Sequence, residues 1–279
     1  MLNKIKYTLF FLLLTISALA QTPKIDSLTA LLNASTIDKE PEKKLEIIEQ
    51  IYQATCYSNP QATIVPVAQA IIISDSILKD SAKVFYWKRK LGEIYLLTEN
   101  FDQAMGYFVE AKNYYSTTKD SLNLAYAIYD FGKIYSALNV PEIATQQFEK
   151  CLELFNKFGE NKGIVLVEIE LAKIYAENYQ NDKAYKALFK ALKLSQGNDF
   201  LNALVQKKLG EIYAQDDETD SAVFFLQNAG DTFIKLKNTG LSADCYLEIS
   251  KAYLDNEQYQ LAKQYLNDAC NLFNEINID

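Results

Sequence analysis

The pentapeptide Leu91-Gly92-Glu93-Ile94-Tyr95 recurs unchanged as Leu209-Gly210-Glu211-Ile212-Tyr213. Three blurred copies accompany it: Phe131-Gly132-Lys133-Ile134-Tyr135, Leu171-Ala172-Lys173-Ile174-Tyr175 and Ile249-Ser250-Lys251-Ala252-Tyr253. Their first letters stand at 91, 131, 171, 209 and 249, so the steps are 40, 40, 38 and 40 residues. Other letters travel with them. Thirteen residues after each first letter is an alanine (Ala104, Ala144, Ala184, Ala222, Ala262). Four further on is a large apolar residue (Phe108, Phe148, Leu188, Leu226, Leu266), and three beyond that a small one (Ala111, Cys151, Ala191, Ala229, Ala269). Turn-prone acids and amides recur between units at Asp80, Asp120, Asn161, Asn198 and Asn238.

Each unit reads as two amphipathic helices. Leu91, Ile94 and Tyr95 share one helical face, and Ala104, Phe108 and Ala111 share another. The polar break Glu99-Asn100-Phe101-Asp102 separates them. A glycine inside a helix costs up to about 1 kcal/mol against alanine. Gly92, Gly132 and Gly210 therefore predict two helices packed so closely that the lost bulk outweighs that cost; Ala172 and Ser250 keep the position small.

This pattern resembles the tetratricopeptide repeat (TPR), which asks for Leu-Gly, Tyr, Ala, Phe and Ala at these offsets. Leu91, Gly92, Tyr95, Ala104, Phe108 and Ala111 meet all of them. The chain departs from the family in carrying Lys88 where a Trp is common, with Trp87 one position early. Its period is also nearer 40 than the usual ~34. The resemblance implies an all-α fold: a right-handed α-solenoid of about six antiparallel helix hairpins. Repeats are expected near 85–118, 125–158, 165–196, 203–236 and 243–276. A degenerate first repeat begins at 45, with Leu45, Ile48, Ile51 and Tyr52 on one face and Thr63, Val67 and Ala70 in the Ala-Phe-Ala slots. Residues 21–44 are read as an N-terminal helix (Ile25, Leu28, Leu31, Leu32) and linker.

Composition removes much chemistry. Histidine is absent from the 279 residues, which excludes His-based acid/base catalysis, Ser-His and Cys-His nucleophile pairs and imidazole metal ligands. The net charge of -8, without a dense Lys/Arg run beyond Lys88-Arg89-Lys90 and Lys207-Lys208, argues against a nucleic-acid partner. Ser116-Thr117-Thr118-Lys119 spells S-x-x-K but has none of the partner motifs that acyl transfer needs. Asp216-Asp217-Glu218-Thr219-Asp220 lacks the glycine and late glutamate of an EF-hand, and is read as helix-capping acids. No enzyme activity, cofactor or metal site is expected.

The first twenty residues have the pattern of a signal peptide: Lys4 and Lys6, the run Leu9-Phe10-Phe11-Leu12-Leu13-Leu14, then Ala18-Leu19-Ala20. Cleavage after Ala20 removes two lysines and leaves 26 basic against 36 acidic residues, or -10. The expected location is periplasmic or secreted, with no stable membrane insertion after cleavage. In a TPR hairpin the start of the first helix lies near the end of the second. Cys245 and Cys270 fall at those two places, so the resemblance makes a disulfide between them an option beside four buried free thiols.

TPR arrays bind ligands on the concave face, lined by the first helix of each repeat. The family's groove positions fall on Tyr86, Arg89 and Glu93, then Tyr126, Tyr129 and Lys133, then Ile169 and Lys173, then Lys207 and Glu211, and finally Lys251. Aromatics supply buried area and charges set register, which suits an extended or helical peptide. The Lys/Asn clamp that some TPRs use for a C-terminal carboxylate is not matched. The expected function is a non-enzymatic scaffold that binds a protein or peptide outside the cytoplasm. The alternative is an accessory or sensor of a membrane signalling system with a separate transmembrane partner. That alternative rests on the layout of leader, short helix and 40-residue repeats, which resembles the exported sensor portions of Bacteroidetes-type signalling proteins. The last helix, through Ala269 to Ile276, is followed by no polar capping element. Solenoid ends usually need one, so either the C-terminal face is covered by a partner or a second copy, or the chain is a shortened relative of a longer protein.

Overall fold

Turns of one kind set the beat of the chain. The structure, a computed structural model, describes residues 23–33, 40–57 and 59–278; the leader expected at 1–20 lies outside them. Among these, left-handed backbone occurs at Lys79, Glu99, Lys119, Asn139, Gly159, Tyr179, Gly197, Asp217, Lys237 and Glu257. The spacing is 20 residues throughout, except for 18 between Tyr179 and Gly197. A left-handed residue just past a helix lets a later N–H reach back to an orphan carbonyl. The carbonyls that accept these bonds include every pentapeptide tyrosine: Asn100 donates to Tyr95 at 2.8 Å, Val140 to Tyr135 at 2.9 Å, Gln180 to Tyr175 at 2.8 Å, Glu218 to Tyr213 at 2.9 Å and Gln258 to Tyr253 at 2.8 Å. Tyr115, Phe155 and Phe233 serve the same way at the ends of second helices.

Between the turns lie antiparallel hairpins. A short α1 (Pro23–Leu32) precedes α2 (Pro41–Thr55) and α3 (Pro60–Ile72), which continues into a π-helical turn at Ile73–Ile77. Then come α4 (Ser81–Leu97) with α5 (Phe101–Thr117), and α6 (Ser121–Ala137) with α7 (Pro141–Phe158). They are followed by α8 (Asn161–Glu177) with α9 (Asn181–Leu194), α10 (Asp199–Gln215) with α11 (Thr219–Lys235), and α12 (Thr239–Asp255) with α13 (Tyr259–Ile278). The described residues thus form an all-α, right-handed TPR-like solenoid of six hairpins behind the short α1. The helices start about four residues before the expected repeat edges. The 38-residue step is explained by α9, which has 14 residues where the second helices of the other pentapeptide repeats have 17 or more.

Four of the five expected turn residues cap the helix that follows. Asp80, Asp120, Asn198 and Asn238 each accept a bond from the backbone N–H three residues on, at 3.0 to 3.3 Å. Such caps stabilise a helix by about 1 kcal/mol. Asn161 is instead the first residue of α8, behind Glu160, whose side chain makes no cap bond. The acids at 216–220 also differ from expectation: Glu218 begins α11 without a side-chain cap, and Asp216 accepts the Tyr185 hydroxyl at 2.7 Å.

The small pentapeptide letter works as expected on close approach, and its partner is the large residue of the second helix. A Cβ added at Gly92 meets the Phe108 ring at 2.6 Å, and at Gly132 it overlaps Phe148. At Gly210 it meets Leu226 at 2.5 Å and the Ala222 carbonyl at 3.0 Å. The pentapeptide tyrosines are half-buried rather than core, and several stack on an aromatic of their own hairpin. Tyr95 lies 5.8 Å from Tyr107, Tyr213 5.5 Å from Phe225 and Tyr253 5.6 Å from Tyr265. In the degenerate first repeat Leu45, Ile48, Ile51, Tyr52, Thr63, Val67 and Ala70 are all buried. Among the described residues no helix is long and apolar enough to cross a membrane.

These contacts give two substitutions opposite signs. Gly132→Ala pushes a methyl into the fully buried Phe148 ring and is expected to destabilise by about 1–3 kcal/mol. Gly106→Ala, on an open face of α5 with nothing within 4 Å, should stabilise by about 0.5–1 kcal/mol. Urea denaturation of the two variants checks the pair; equal effects would contradict the packing.

Candidate functional site

First helices of successive hairpins pack side by side, and polar side chains couple them, four of the links at one offset. Tyr52 of α2 donates its hydroxyl to Glu93 of α4 at 2.5 Å. Lys83 of α4 pairs with Glu42 of α2 at 2.9 Å. Arg89 of α4 donates Nε to Asp130 of α6, and Tyr129 of α6 donates to Glu170 of α8 at 3.3 Å. All four links join residues 41 apart, one more than the repeat. An α-helical neighbour stacked in register brings each position beside nearly the same position of the next repeat.

The centre of this ladder is a buried cluster. Glu93 is approached by Lys90 at 3.3 Å and Lys133 at 3.9 Å in addition to Tyr52. Burial works against the Glu93 carboxylate, but Lys90, Lys133 and Arg89 outweigh it and hold the carboxyl well below the usual range. Asp130 is fully enclosed, and burial raises its carboxyl above the ordinary carboxylate range against the pull of Arg89. Lys90 sits 4.4 Å over the Tyr52 ring and Arg89 5.2 Å over Tyr126. The tyrosines face acids: Tyr86 donates to Glu49 at 3.0 Å and Tyr126 to Glu160 at 2.9 Å.

Beside this cluster the superhelix encloses a cavity of about 660 Å³. Its wall takes Glu49, Tyr52 and Cys56 from α2, with Tyr57 just beyond, and Tyr86, Arg89, Lys90 and Glu93 from α4. Tyr126, Tyr129 and Lys133 come from α6, Lys162 and Leu166 from α8, and Phe200 and Leu204 from α10; the α11–α12 turn adds Lys237. Pockets of 300–1,000 Å³ with an apolar wall and a few convergent polar groups are the usual size and make-up of ligand sites.

Six of the expected groove residues meet in this cavity: Tyr86, Arg89, Glu93, Tyr126, Tyr129 and Lys133. The remaining five lie elsewhere. Lys207 and Lys208 clamp Glu211 in a second cluster on α10, with Lys207 at 2.6 Å. Lys251 pairs with Glu248 at 2.6 Å and Lys173 approaches Glu177 at 3.9 Å. Ile169 packs against the apolar core between α8 and α10. The optional Cys245–Cys270 disulfide is absent, and both are free thiols. Cys245 is buried against Ala229 and Phe233 of the preceding hairpin, so it points away from α13.

Sequence reasoning missed Tyr52, Tyr57, Lys90, Lys162, Phe200 and Lys237 as wall residues. Tyr52 reads as one more core letter, and only the structure shows its hydroxyl reaching Glu93. One signal was available: Asp130 interrupts the apolar face Ala125, Ala127, Tyr129, Ile134, and an acid placed there needs a buried partner.

Fold and cavity together define a TPR-like helical scaffold. The family model described as SNAP, soluble NSF attachment protein, matches residues 132–278, more than half of the chain, and the chain belongs to that family. No curated protein matches it. Among solved structures it is similar to a Rap protein complexed with competence and sporulation factor (14% identity, 92% of this chain and 77% of that one, TM-score 0.65). It is also similar to NprR in complex with its cognate peptide NprX (14%, 95% and 78%, TM-score 0.57) and to BtubC from P. vanneervenii (15%, 79% and 93%, TM-score 0.60). At these identities the likeness is one of fold.

The second cluster makes a pH prediction. Burial opposes the Glu211 carboxylate, but Lys208 and Lys207 bring it down to about 2 from an ordinary 4.5. The unfolded chain therefore takes up this proton near pH 4.5 while the folded one resists until about pH 2. The stability Glu211 contributes is intact above pH 4.5 and drains away between 4.5 and 2. Glu211→Gln should be less stable than wild type at pH 7, and the gap in urea midpoint should close across that window. A gap independent of pH would contradict the assignment.

Proposed function

We propose that this chain is a non-enzymatic scaffold that receives a peptide segment of a partner protein along the inner face of its solenoid. The observation that carries this is the cavity of about 660 Å³, whose wall repeats the same first-helix positions from α2 to α6. Tyr86, Tyr126 and Tyr129 give it rigid amphipathic surface, and Tyr57 adds a half-exposed ring to the wall. Large aromatics of this kind carry most of the binding energy at peptide and protein interfaces. Two of the structurally similar proteins were crystallised with a peptide or factor bound, and the name of the matching family records attachment to another protein. We place the scaffold outside the cytoplasm, on the leader-like pattern of residues 1–20.

The test is a peptide display selection against the purified protein, followed by affinity measurement. Tyr57→Ala should weaken the selected peptides by about tenfold or more, as loss of an aromatic anchor does. Peptides that bind the variant as tightly as wild type would contradict the site. For location, mass spectrometry of the protein recovered from its own cells should find a chain beginning at Gln21 in the exported fraction; an intact N-terminus in the cytoplasm would contradict it.

A further inference from the structure

We infer that the peptide taken by this cavity is acidic, its Asp or Glu side chains received by the Arg89 guanidinium and by Lys162 and Lys237. The inference rests on the groove-binding reading and specifies the chemistry of its ligand.

Arg89 is only 7% exposed, yet it lines the cavity. Its Nε is taken by Asp130 and its plane lies over Tyr126. Its two Nη groups have no partner among the described residues, and neither is sealed from solvent. With Nε held by Asp130 and the Tyr126 ring 5.2 Å away, the guanidinium lines the cavity with both Nη groups left for a ligand, and two such groups can grip a carboxylate through two parallel bonds.

The rest of the wall adds two unpaired cations. Lys90 and Lys133 are occupied by Glu93. Lys162 and Lys237 are exposed and have neither an ion pair nor a side-chain hydrogen bond among the described residues. The wall carries five cations (Arg89, Lys90, Lys133, Lys162, Lys237) and two carboxylates (Glu49, Glu93), with Glu160 and Glu170 held on its Tyr126 and Tyr129 hydroxyls, in a chain whose net charge is -8. Asp130 offsets Arg89 from behind, so formal charge about the cavity balances, and Lys162 and Lys237 are the cations left without a partner among the described residues. Those lysines sit on α8 and the α11–α12 turn, repeats away from Arg89 on α4. A single terminal carboxylate answers one such group; a chain with several acidic side chains answers all three.

The test uses the full chain and four synthetic decapeptides with identical apolar and tyrosine positions, read by fluorescence anisotropy. Three are capped at both ends and carry Glu, Gln or Lys at the remaining positions; the fourth is the Gln peptide with a free C-terminal carboxylate. The Glu peptide should bind at least about tenfold tighter than the Gln peptide, the worth of one charge-assisted hydrogen bond, and lose that advantage in high salt. Arg89→Lys, which keeps the charge and loses the fork, should shrink the advantage. The double variant Lys162→Gln/Lys237→Gln, altered only at exposed side chains, should shrink it too and serves if the first fails to fold. Equal binding of Glu and Gln peptides, or an advantage seen only with the free carboxylate, would overturn the inference while leaving the groove as a binding site. Binding of none of the four would overturn both.

Discussion

Arg89 and Asp130 meet inside a stack whose other inter-repeat contacts are mostly apolar, and the set of the whole inner face depends on such pairs. Apolar seams such as Gly92 on Phe108 fix how two helices of one hairpin approach. They say little about how far one hairpin turns on the next, because packing energy changes slowly with a small rotation. A buried ion pair does not share that tolerance. Removing one partner leaves an uncompensated charge and costs about 3–5 kcal/mol, whereas a buried pair adds little net stability over an apolar one. The buried Arg89–Asp130 pair, with the part-buried Tyr52–Glu93 and Tyr129–Glu170 links at the same offset, therefore acts chiefly on register. Together these links hold α2, α4, α6 and α8 at the rotation that wraps the cavity.

The same arithmetic explains why so much of the inner charge is unavailable to a ligand. Lys90, Lys133 and Glu93 satisfy one another, and Tyr86, Tyr126 and Tyr129 donate to acids of their own or neighbouring repeats. What remains for recognition is small and well placed: the aromatic faces, the open side of Arg89, and two unpaired lysines. Beyond α8 the ladder stops, because Ile169 stands where Arg89 and Tyr129 stand earlier and offers nothing to Lys208. The chain resumes its polar pairing within α10, where Lys207, Lys208 and Glu211 close on themselves.

The scaffold was readable in the letters. Pentapeptide spacing gave the hairpins, Gly92 and Gly132 gave the close seams, and Asp80, Asp120, Asn198 and Asn238 gave the helix starts. The shortened step was visible too, though not that α9 absorbs it. Half of the site was readable by resemblance alone, as Tyr86, Arg89, Glu93, Tyr126, Tyr129 and Lys133. The remainder was hidden for a physical reason. Periodicity reports which face of a helix is apolar, but not which polar atom on the next repeat it meets. Tyr52 to Glu93 and Arg89 to Asp130 are contacts between repeats, and the left-handed turn that aims Lys237 inward carries no glycine to announce it.

A double-mutant cycle on Arg89→Met and Asp130→Leu, followed by urea denaturation, tests the ladder most directly. If the pair sets the register, each single variant should lose about 3–5 kcal/mol and the double variant should recover about 2 kcal/mol or more of the summed loss. Single losses that simply add, within about 0.5 kcal/mol, would mean that the two groups act independently and that the inner face is held by something else.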